Sequence, residues 1–459
     1  MSEGRTLRRY GRFGASAMAL VLGLAFAAQA QAETLADALA SAYRNSHLLE
    51  QNRAVLRAAD EDAAQAVATL RPVVAFIAQT DYSKTLLTEG STSQIGLTAS
   101  LVLWDNGRNR LGIEIARESV LATRQALVQV EQQVLLSAVS AYFQVRSALE
   151  SVSINQNSIR VLDEELRATS DRFEVGEVTR TDVSLAEAQR AAARASLAAA
   201  QGDLEVAREA YKAATGHYPG SLAPAPAAPA LPRTLGEAKS IAQRNHPSIL
   251  EAQRQVKVSD LQVKLAGANF GPSVDITAQT TLDEYSDKNS AVSLGLSQTL
   301  YAGGAVSSAH RRAVAGRDQS RAALLQTGVT VEQSVGESWS SIDVSRAQIR
   351  ATAEQIQAAQ VAYDGIRDEA ALGSRTTLDV LDAEQDLLDA RADRITAQAN
   401  EQIALYSLLS SMGLLTVQHL GLNVPVYDPD AYYQAVKNAP LTSSRGKSLD
   451  KALKAMGKQ

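Results

Sequence analysis

The stretch GSRTTLDVLDAEQD, Gly373 to Asp386, sets carboxylates at Asp379, Asp382 and Asp386, three and then four residues apart. On a helix that spacing stacks them on one face, where like charges repel by a few tenths of a kcal/mol per pair. Paired acids can serve general acid–base chemistry or hold a metal, but the surrounding chain offers them no chemical partner. The five histidines, His47, His217, His246, His310 and His419, are scattered and none has ligand spacing with another. There is no cysteine, which removes thiolate nucleophiles, disulfides and Cys-ligated metals. LYAGGA is followed by no Gly-Lys-Ser/Thr of a phosphate loop, and no serine sits in a nucleophile elbow. The residues therefore argue against an enzyme, and no cofactor or metal is expected.

Part of the column has a local explanation. Thr376-x-x-Asp379 reads as a capping box at a helix start, and Thr179-x-x-Asp182 repeats it earlier in the chain. Capping does not reach Asp382, Asp386 or Asp389. A solvated charged face is one reading of those three acids.

The elements that must position these residues are written twice. TLADALASAYRNSH from Thr34 is echoed by TLGEAKSIAQRNHP from Thr234, and PVVAFIAQT from Pro72 by PSVDITAQT from Pro272, both 200 residues on. LVLWDNG from Leu101 matches QTLYAGG from Gln298, and VGEVTRTDV from Val175 matches LGSRTTLDV from Leu372, both 197 residues on. Four anchors in one order make the chain a tandem duplication. The expected division is a first repeat over 33–213, a Pro-rich linker over 214–233, a second repeat over 234–422 and a tail over 423–459. The tail ends in SSRGKSLDKALKAMGKQ and reads as solvated or loosely ordered.

Residues 1–32 are set aside as a signal peptide. Arg5, Arg8, Arg9 and Arg12 form a basic start, ASAMALVLGLAFAA a short apolar core, and Ala30-Gln31-Ala32 a cleavage site. Losing that segment, with its four Arg and one Glu, takes the net charge from −5 to −8. So acidic a chain is a poor partner for nucleic acid.

Each repeat reads as helix, hairpin, long helix, turn, helix. Ile113 to Val175 holds no Gly or Pro, and Leu135, Ala138, Tyr142, Val145, Leu149 and Val152 recur in steps of three and four, the period of coiled-coil packing. The second long helix is less regular, with Gly316, Gly328, Gly336 and Gly365 along it. Strands are expected at about 72–82, 93–104, 272–283 and 291–301. Ile95, Leu97, Ala99, Leu101 and Leu103 alternate with polar neighbours over about the length of a tilted membrane-spanning strand, although a soluble sheet with one wet face alternates likewise. Four strands cannot close a barrel, and a membrane tolerates no open edge. If they span one, several copies must contribute, and three would make twelve strands. Trp104 and Tyr301, at equivalent positions, suit a membrane interface. In such an assembly the acidic column would line the axis as rings of carboxylates that favour cations.

The whole mature chain from Glu33 to about Leu422 resembles the TolC-type outer-membrane efflux and secretion proteins, most specifically in ALGSRTTLDVLDAEQDLLDAR, and also in TLYAGG and the duplicated FEVGEVTRTDV. The resemblance implies a fold that joins an all-α coiled-coil barrel to a membrane β-barrel. It implies a homotrimer in the outer membrane of a Gram-negative bacterium, with twelve strands in the lipid and a long helical tunnel through the periplasm. A periplasmic adaptor and an inner-membrane transporter would dock at the helix-turn-helix tips, around Gly176 and Gly373. Asp379 and Asp382 match the acids that ring the family's entrance, and Asp386 and Asp389 extend the column. Arg375 matches an arginine that helps hold the entrance closed, and Asp182 one of its acidic partners. Ala370 stands where some relatives have a tyrosine in that closing network. A periplasmic coiled-coil adaptor is the alternative, though four long strands fit it poorly.

Overall fold

The computed structural model describes residues 32–84, 89–285 and 287–439, together with 447 and 451. The expected signal peptide, apart from Ala32, lies outside the described residues. The chain runs α1 (Leu35–Asn45), α2 (His47–Ala68), β1 (Val73–Lys84), β2 (Glu89–Trp104), α3 (Arg108–Glu174) and α4 (Arg180–Thr215). It repeats with α5 (Leu235–Asn245), α6 (Pro247–Ala268), β3 (Ser273–Asp283), β4 (Lys288–Ser297), α7 (Ala305–Ala371) and α8 (Thr377–Ser411), and ends in α9 (Pro429–Val436).

α3 and α7 are each 67 residues long. At 1.5 Å per residue each is a rod of about 100 Å. α7 runs unbroken through Gly316, Gly328, Gly336 and Gly365, because its packing against α6 and α8 outweighs the roughly 1 kcal/mol that each glycine costs relative to alanine. α3 packs along α4 and α7 along α8, so each pair is a hairpin with its turn at the end remote from the sheet.

The apolar core forms a belt where the short helices meet the rods. Leu39, Leu49, Leu56, Leu135, Val139, Tyr142, Tyr211, Leu405, Leu408 and Met412 are buried together there. The Pro-rich linker is stitched across this belt. Glu33 N–H donates to Ser221 O at 2.8 Å, Ala223 N–H to Glu33 O at 2.8 Å, and the buried Tyr142 hydroxyl to the carbonyls of both Glu33 and Ala223.

The four strands form one antiparallel sheet in the order β1-β2-β3-β4, and the β2–β3 pairing joins the two repeats. The register aligns Phe76 with Leu97, Leu97 with Thr280, Ala99 with Ala278, and Ala278 with Val292. This builds one apolar face, with Val74, Phe76, Ile95, Leu97, Val292, Leu294 and Leu296 all exposed in the single chain. Gly96 is required by close approach, since a Cβ there would lie 2.5 Å from Thr280 O. β1 and β4 are edges, each paired on one side only.

Two expectations are corrected. β4 ends at Ser297 rather than reaching Tyr301, because its partner strand begins at Ser273 and Pro272 has no N–H to extend the ladder. Residues 423–439, expected as part of a loose tail, are packed. The Arg53 guanidinium lies between the rings of Tyr43 and Tyr427, 5.1 and 5.0 Å from their centroids. Arg124 pairs with Asp430 at 2.6 Å, Tyr432 donates to Glu61 at 2.6 Å, and Arg71 donates to the carbonyls of Asn438 and Ala439. In the sequence, the signal of this aromatic anchor is obscured by the lysine-rich stretch that follows it.

Asp60 lies under this segment, fully buried, with neither carboxylate oxygen hydrogen-bonded among the described residues. Burial pushes its pKa up to about 6. Arg124 opposes the shift, while Asp430 and Glu61 add to it. Because the folded pKa is raised, the folded state binds the extra proton. Its stabilisation is complete below the ordinary value near 4 and is lost as pH rises through about 6. The thermal midpoint of the detergent-solubilised protein should therefore fall between pH 4 and 7, and Asp60→Asn should flatten that slope. An equal slope in both proteins would refute the assignment.

Candidate functional site: the paired helix tips

Both hairpins reverse through the same local chemistry. At the first, Gly176 N–H donates to Phe173 O at 3.0 Å and Glu177 N–H to Arg172 O at 2.9 Å. At the second, Gly373 N–H donates to Ala370 O at 3.1 Å and Ser374 N–H to Glu369 O at 3.0 Å. These close the helix ends with a left-handed residue, φ +82° at Gly176 and +78° at Gly373. A Cβ at either glycine would meet open space, so the backbone angle alone selects glycine.

The next helix starts on a capping box in each case. Thr179 N–H and Oγ1 donate to Asp182 Oδ2 at 2.8 and 2.7 Å. Thr376 N–H and Oγ1 donate to Asp379 Oδ2 at 2.9 and 2.8 Å, and Asp379 N–H donates back to Thr376 Oγ1 at 3.2 Å. The bonds from the Thr376 backbone and hydroxyl, helped by the Arg375 charge, hold the Asp379 carboxyl below the usual carboxylate range. The Thr179 hydroxyl and backbone do the same for Asp182. Both acids are ionised at neutral pH.

The two tips share a hollow of about 450 Å³ whose lining includes Arg172, Glu177, Asp182, Ala370, Gly373 and Arg375. Arg375 and Asp182 are thus brought to one site. Within the single chain, however, Arg375 Nε donates to Glu369 Oε2 at 2.9 Å, a half-exposed pair. The direct link across the tips comes from Arg172, which donates to the Ala370 carbonyl at 3.4 Å. The Ala370 methyl is buried with Tyr363, Val380, Ala383 and Leu387.

Asp382, Asp386 and Asp389 are exposed on the uncovered face of α8, opposite buried Val380, Ala383 and Leu387. Asp389 accepts from Gln385 at 2.8 Å. Asp382 and Asp386 have no ion pair among the described residues. At the 197-residue offset, Asp379 has Asp182 as counterpart, whereas Asp382, Asp386 and Asp389 fall opposite Leu185, Gln189 and Ala192. The cap is duplicated and the column is not.

One acid was missed by reasoning on spacing. Glu384 is buried on the packed face of α8 and accepts from Ser158 Oγ of α3 at 2.9 Å. Burial raises its pKa. Its signal in the sequence is a charged residue inside the stripe Val380, Ala383, Leu387. Trp104 closes β2, half-exposed, while Tyr301 lies 88% exposed in the loop after β4, both at the helix-side end of the sheet.

Thr376→Ala removes the hydroxyl on which the second cap turns, at a cost of about 1 kcal/mol. Amide exchange in the first turn of α8 should quicken by about fivefold, with the sheet unaffected. Unchanged exchange would show that the cap does not hold the tip.

Residues 38–217 and 239–414 match the family model described as outer membrane efflux protein. The chain is 34% identical over 432 residues to outer membrane efflux protein BepC of Brucella suis biovar 1 (strain 1330), covering 92% of this chain and 95% of that protein. It is 26% identical over 434 residues to outer membrane protein TolC of Escherichia coli (strain K12), covering 87% of each. Its fold superposes on the solved structure of the outer membrane protein VceC from Vibrio cholerae with a TM-score of 0.71 at 21% identity, over 83% of this chain and 96% of that one.

Proposed function

Because the chain belongs to the outer membrane efflux protein family, we propose that it forms, as a homotrimer, the exit duct of a tripartite efflux pump or type I secretion system. It is an outer-membrane protein of a Gram-negative bacterium that extends into the periplasm, and it is not an enzyme. The adaptor alternative is set aside by the same membership.

The observation that carries the trimer is the sheet. Its four strands present an uncovered apolar face and two unpaired edges, β1 and β4. Pairing β1 of one copy with β4 of the next removes every edge, and three copies give a twelve-stranded barrel in the range of known outer-membrane barrels. The two repeats, 33–213 and 234–422, with the 214–233 linker between them, then supply strands and helices in matched pairs to one continuous wall.

At the opposite end the tips converge on the axis. Asp379, Asp382 and Asp386 of three copies form stacked rings of carboxylates. The asymmetry between the repeats supports this reading: the acid that also caps a helix occurs in both halves, and the remainder of the column occurs in one. Three acids at one level in a narrow passage attract cations and oppose anions. Arg375, bonded to Glu369 within its own chain, is within the hollow that also holds Asp182, and in the closed entrance it links neighbouring hairpins through that acid. The turns at Gly176 and Gly373 form the docking surface for a periplasmic adaptor, beyond which an inner-membrane transporter supplies the energy. The duct itself is passive. No protein cofactor enters this mechanism.

Single-channel recording of the mature protein in a planar bilayer tests the ring. Wild type should show a low, cation-preferring conductance that multivalent cations block. Asp379→Asn/Asp382→Asn should lose both preference and block, whereas unchanged selectivity would return those acids to capping and solvation. Arg375→Gln should raise the conductance of the closed channel, and a conductance equal to wild type would remove the arginine from the latch.

A further inference from the structure

Among the acids of α8, Glu384 alone is buried without being a cap. Its carboxylate has no ion pair among the described residues, and the one hydrogen bond to it there is the 2.9 Å bond from Ser158 Oγ of α3, itself buried. Burial raises its pKa, the Ser158 hydroxyl opposes the rise, Glu165 of α3 adds to it and Arg391 of α8 lowers it. From α7 comes the buried ring of Tyr363, whose pKa is raised by burial, with Arg367 opposing and Glu384, Glu165 and Asp364 adding. Gln189 of α4 donates to Gln385 at 3.2 Å, and Arg391 donates to Gln360 of α7 at 2.8 Å, but these two bonds are only partly buried.

The duplication separates this acid from its counterpart. Val183, Ala186 and Glu187 of α4 stand 197 residues before Val380, Ala383 and Glu384. The valine and the alanine are buried in both helices, yet Glu187 is exposed. α8 is packed against both α7 and α3, and α3 sets a serine against the acid. A buried carboxylate with a single neutral donor costs stability. The best-attested return on such a group is a fixed register or orientation.

α8 has need of one. Ala383, Ala390, Ala397 and Ala404 are all buried and fall seven residues apart. A column of methyl groups permits close approach, but such small knobs oppose rotation of the helix only weakly. At about 100° per residue, Glu384 stands about 160° from both Asp382 and Asp386. Rotating α8 by one residue's angle would carry those acids off the uncovered side and break the bond to Ser158 in the same movement.

We infer that the Ser158–Glu384 hydrogen bond fixes the rotation of α8 and so aims the acidic column, which makes both side chains positioning residues for ion selection in the duct. The inference rests on the reading of Asp379, Asp382 and Asp386 as rings on the axis. Deprived of its donor, the Glu384 carboxylate gains by reaching water and draws α8 round with it.

Planar-bilayer recording of the mature protein tests it, with the reversal potential in a salt gradient reporting cation preference and added multivalent cations reporting block. Ser158→Ala leaves every acid of the column in place and should lose both preference and block. Glu384→Leu fills the same space without needing a donor; it should form channels and lose both as well, because the alanine seam alone does not hold the rotation. Glu384→Gln keeps an oxygen for the Ser158 hydroxyl and should retain the preference and block of wild type. Wild-type selectivity in Ser158→Ala would overturn the inference, and where that variant forms no channel, wild-type selectivity in Glu384→Leu overturns it equally. A Glu384→Gln channel as unselective as Glu384→Leu would also overturn it, since the charge of the carboxylate and not its aim would then be the cause. Wild-type channels without cation preference would sink the rings and this inference together, whereas a selective wild type matched by Ser158→Ala sinks the positioning role alone.

Discussion

The structure turns on the unpaired edges of a four-stranded sheet. β1 and β4, twelve and ten residues long, each present one row of backbone N–H and C=O groups with no partner strand among the described residues. In water such an edge recruits other strands. In hydrocarbon it is not tolerated, because each unsatisfied group costs several kcal/mol. The uncovered apolar face makes water the wrong solvent for this sheet, and the edges make lipid the wrong solvent for a single copy. A head-to-tail contact of β1 on β4 resolves both demands, provided that the rotation closes into a ring. A ring of that kind would impose its symmetry on the rods, since α3 follows β2 and α7 follows β4 after loops of only a few residues.

Much of this was legible in the residues because the signals were periodic. Alternation at Ile95, Leu97, Ala99, Leu101 and Leu103 marked a strand, and β2 covers all of it. The gap-free run from Ile113 marked a rod, and α3 extends it to Arg108. Thr179, Asp182, Thr376 and Asp379 announced two helix starts, and both boxes are closed by the expected bonds. Local chemistry of this kind is written within four residues, so a single sequence suffices to read it.

What stayed hidden depends on partners distant in sequence. Glu384 lies among three acids of similar spacing, yet only packing against Ser158, 226 residues away, separates it from the exposed column. Asp60 is an unremarkable acid on an amphipathic helix until α9 and Arg124 cover it. The end of β4 is set by Pro272, just before the facing strand. The anchoring of residues 423–439 needs Arg53 between two tyrosines 384 residues apart, Tyr43 and Tyr427. In each case the deciding residue lies on another element, where periodicity carries no information.

Duplication offers a way to separate what the fold requires from what the assembly requires. Each half must start its own helices, turn its own hairpin and pair its own strands, so caps, turn glycines and alternating strands occur in both. A residue that acts only where copies meet on an axis has no reason to appear twice. Asp382 and Asp386 stand opposite Leu185 and Gln189, and Arg375 opposite Val178. In a trimer of paired hairpins these substitutions make the two tips of one chain chemically distinct: the first lacks the acidic column past its cap, and the second carries it, able to face an aqueous passage. Because like charges at three and four residues oppose helix stability, the column is a cost to the single chain, and the duct reading gives that cost a purpose at the axis.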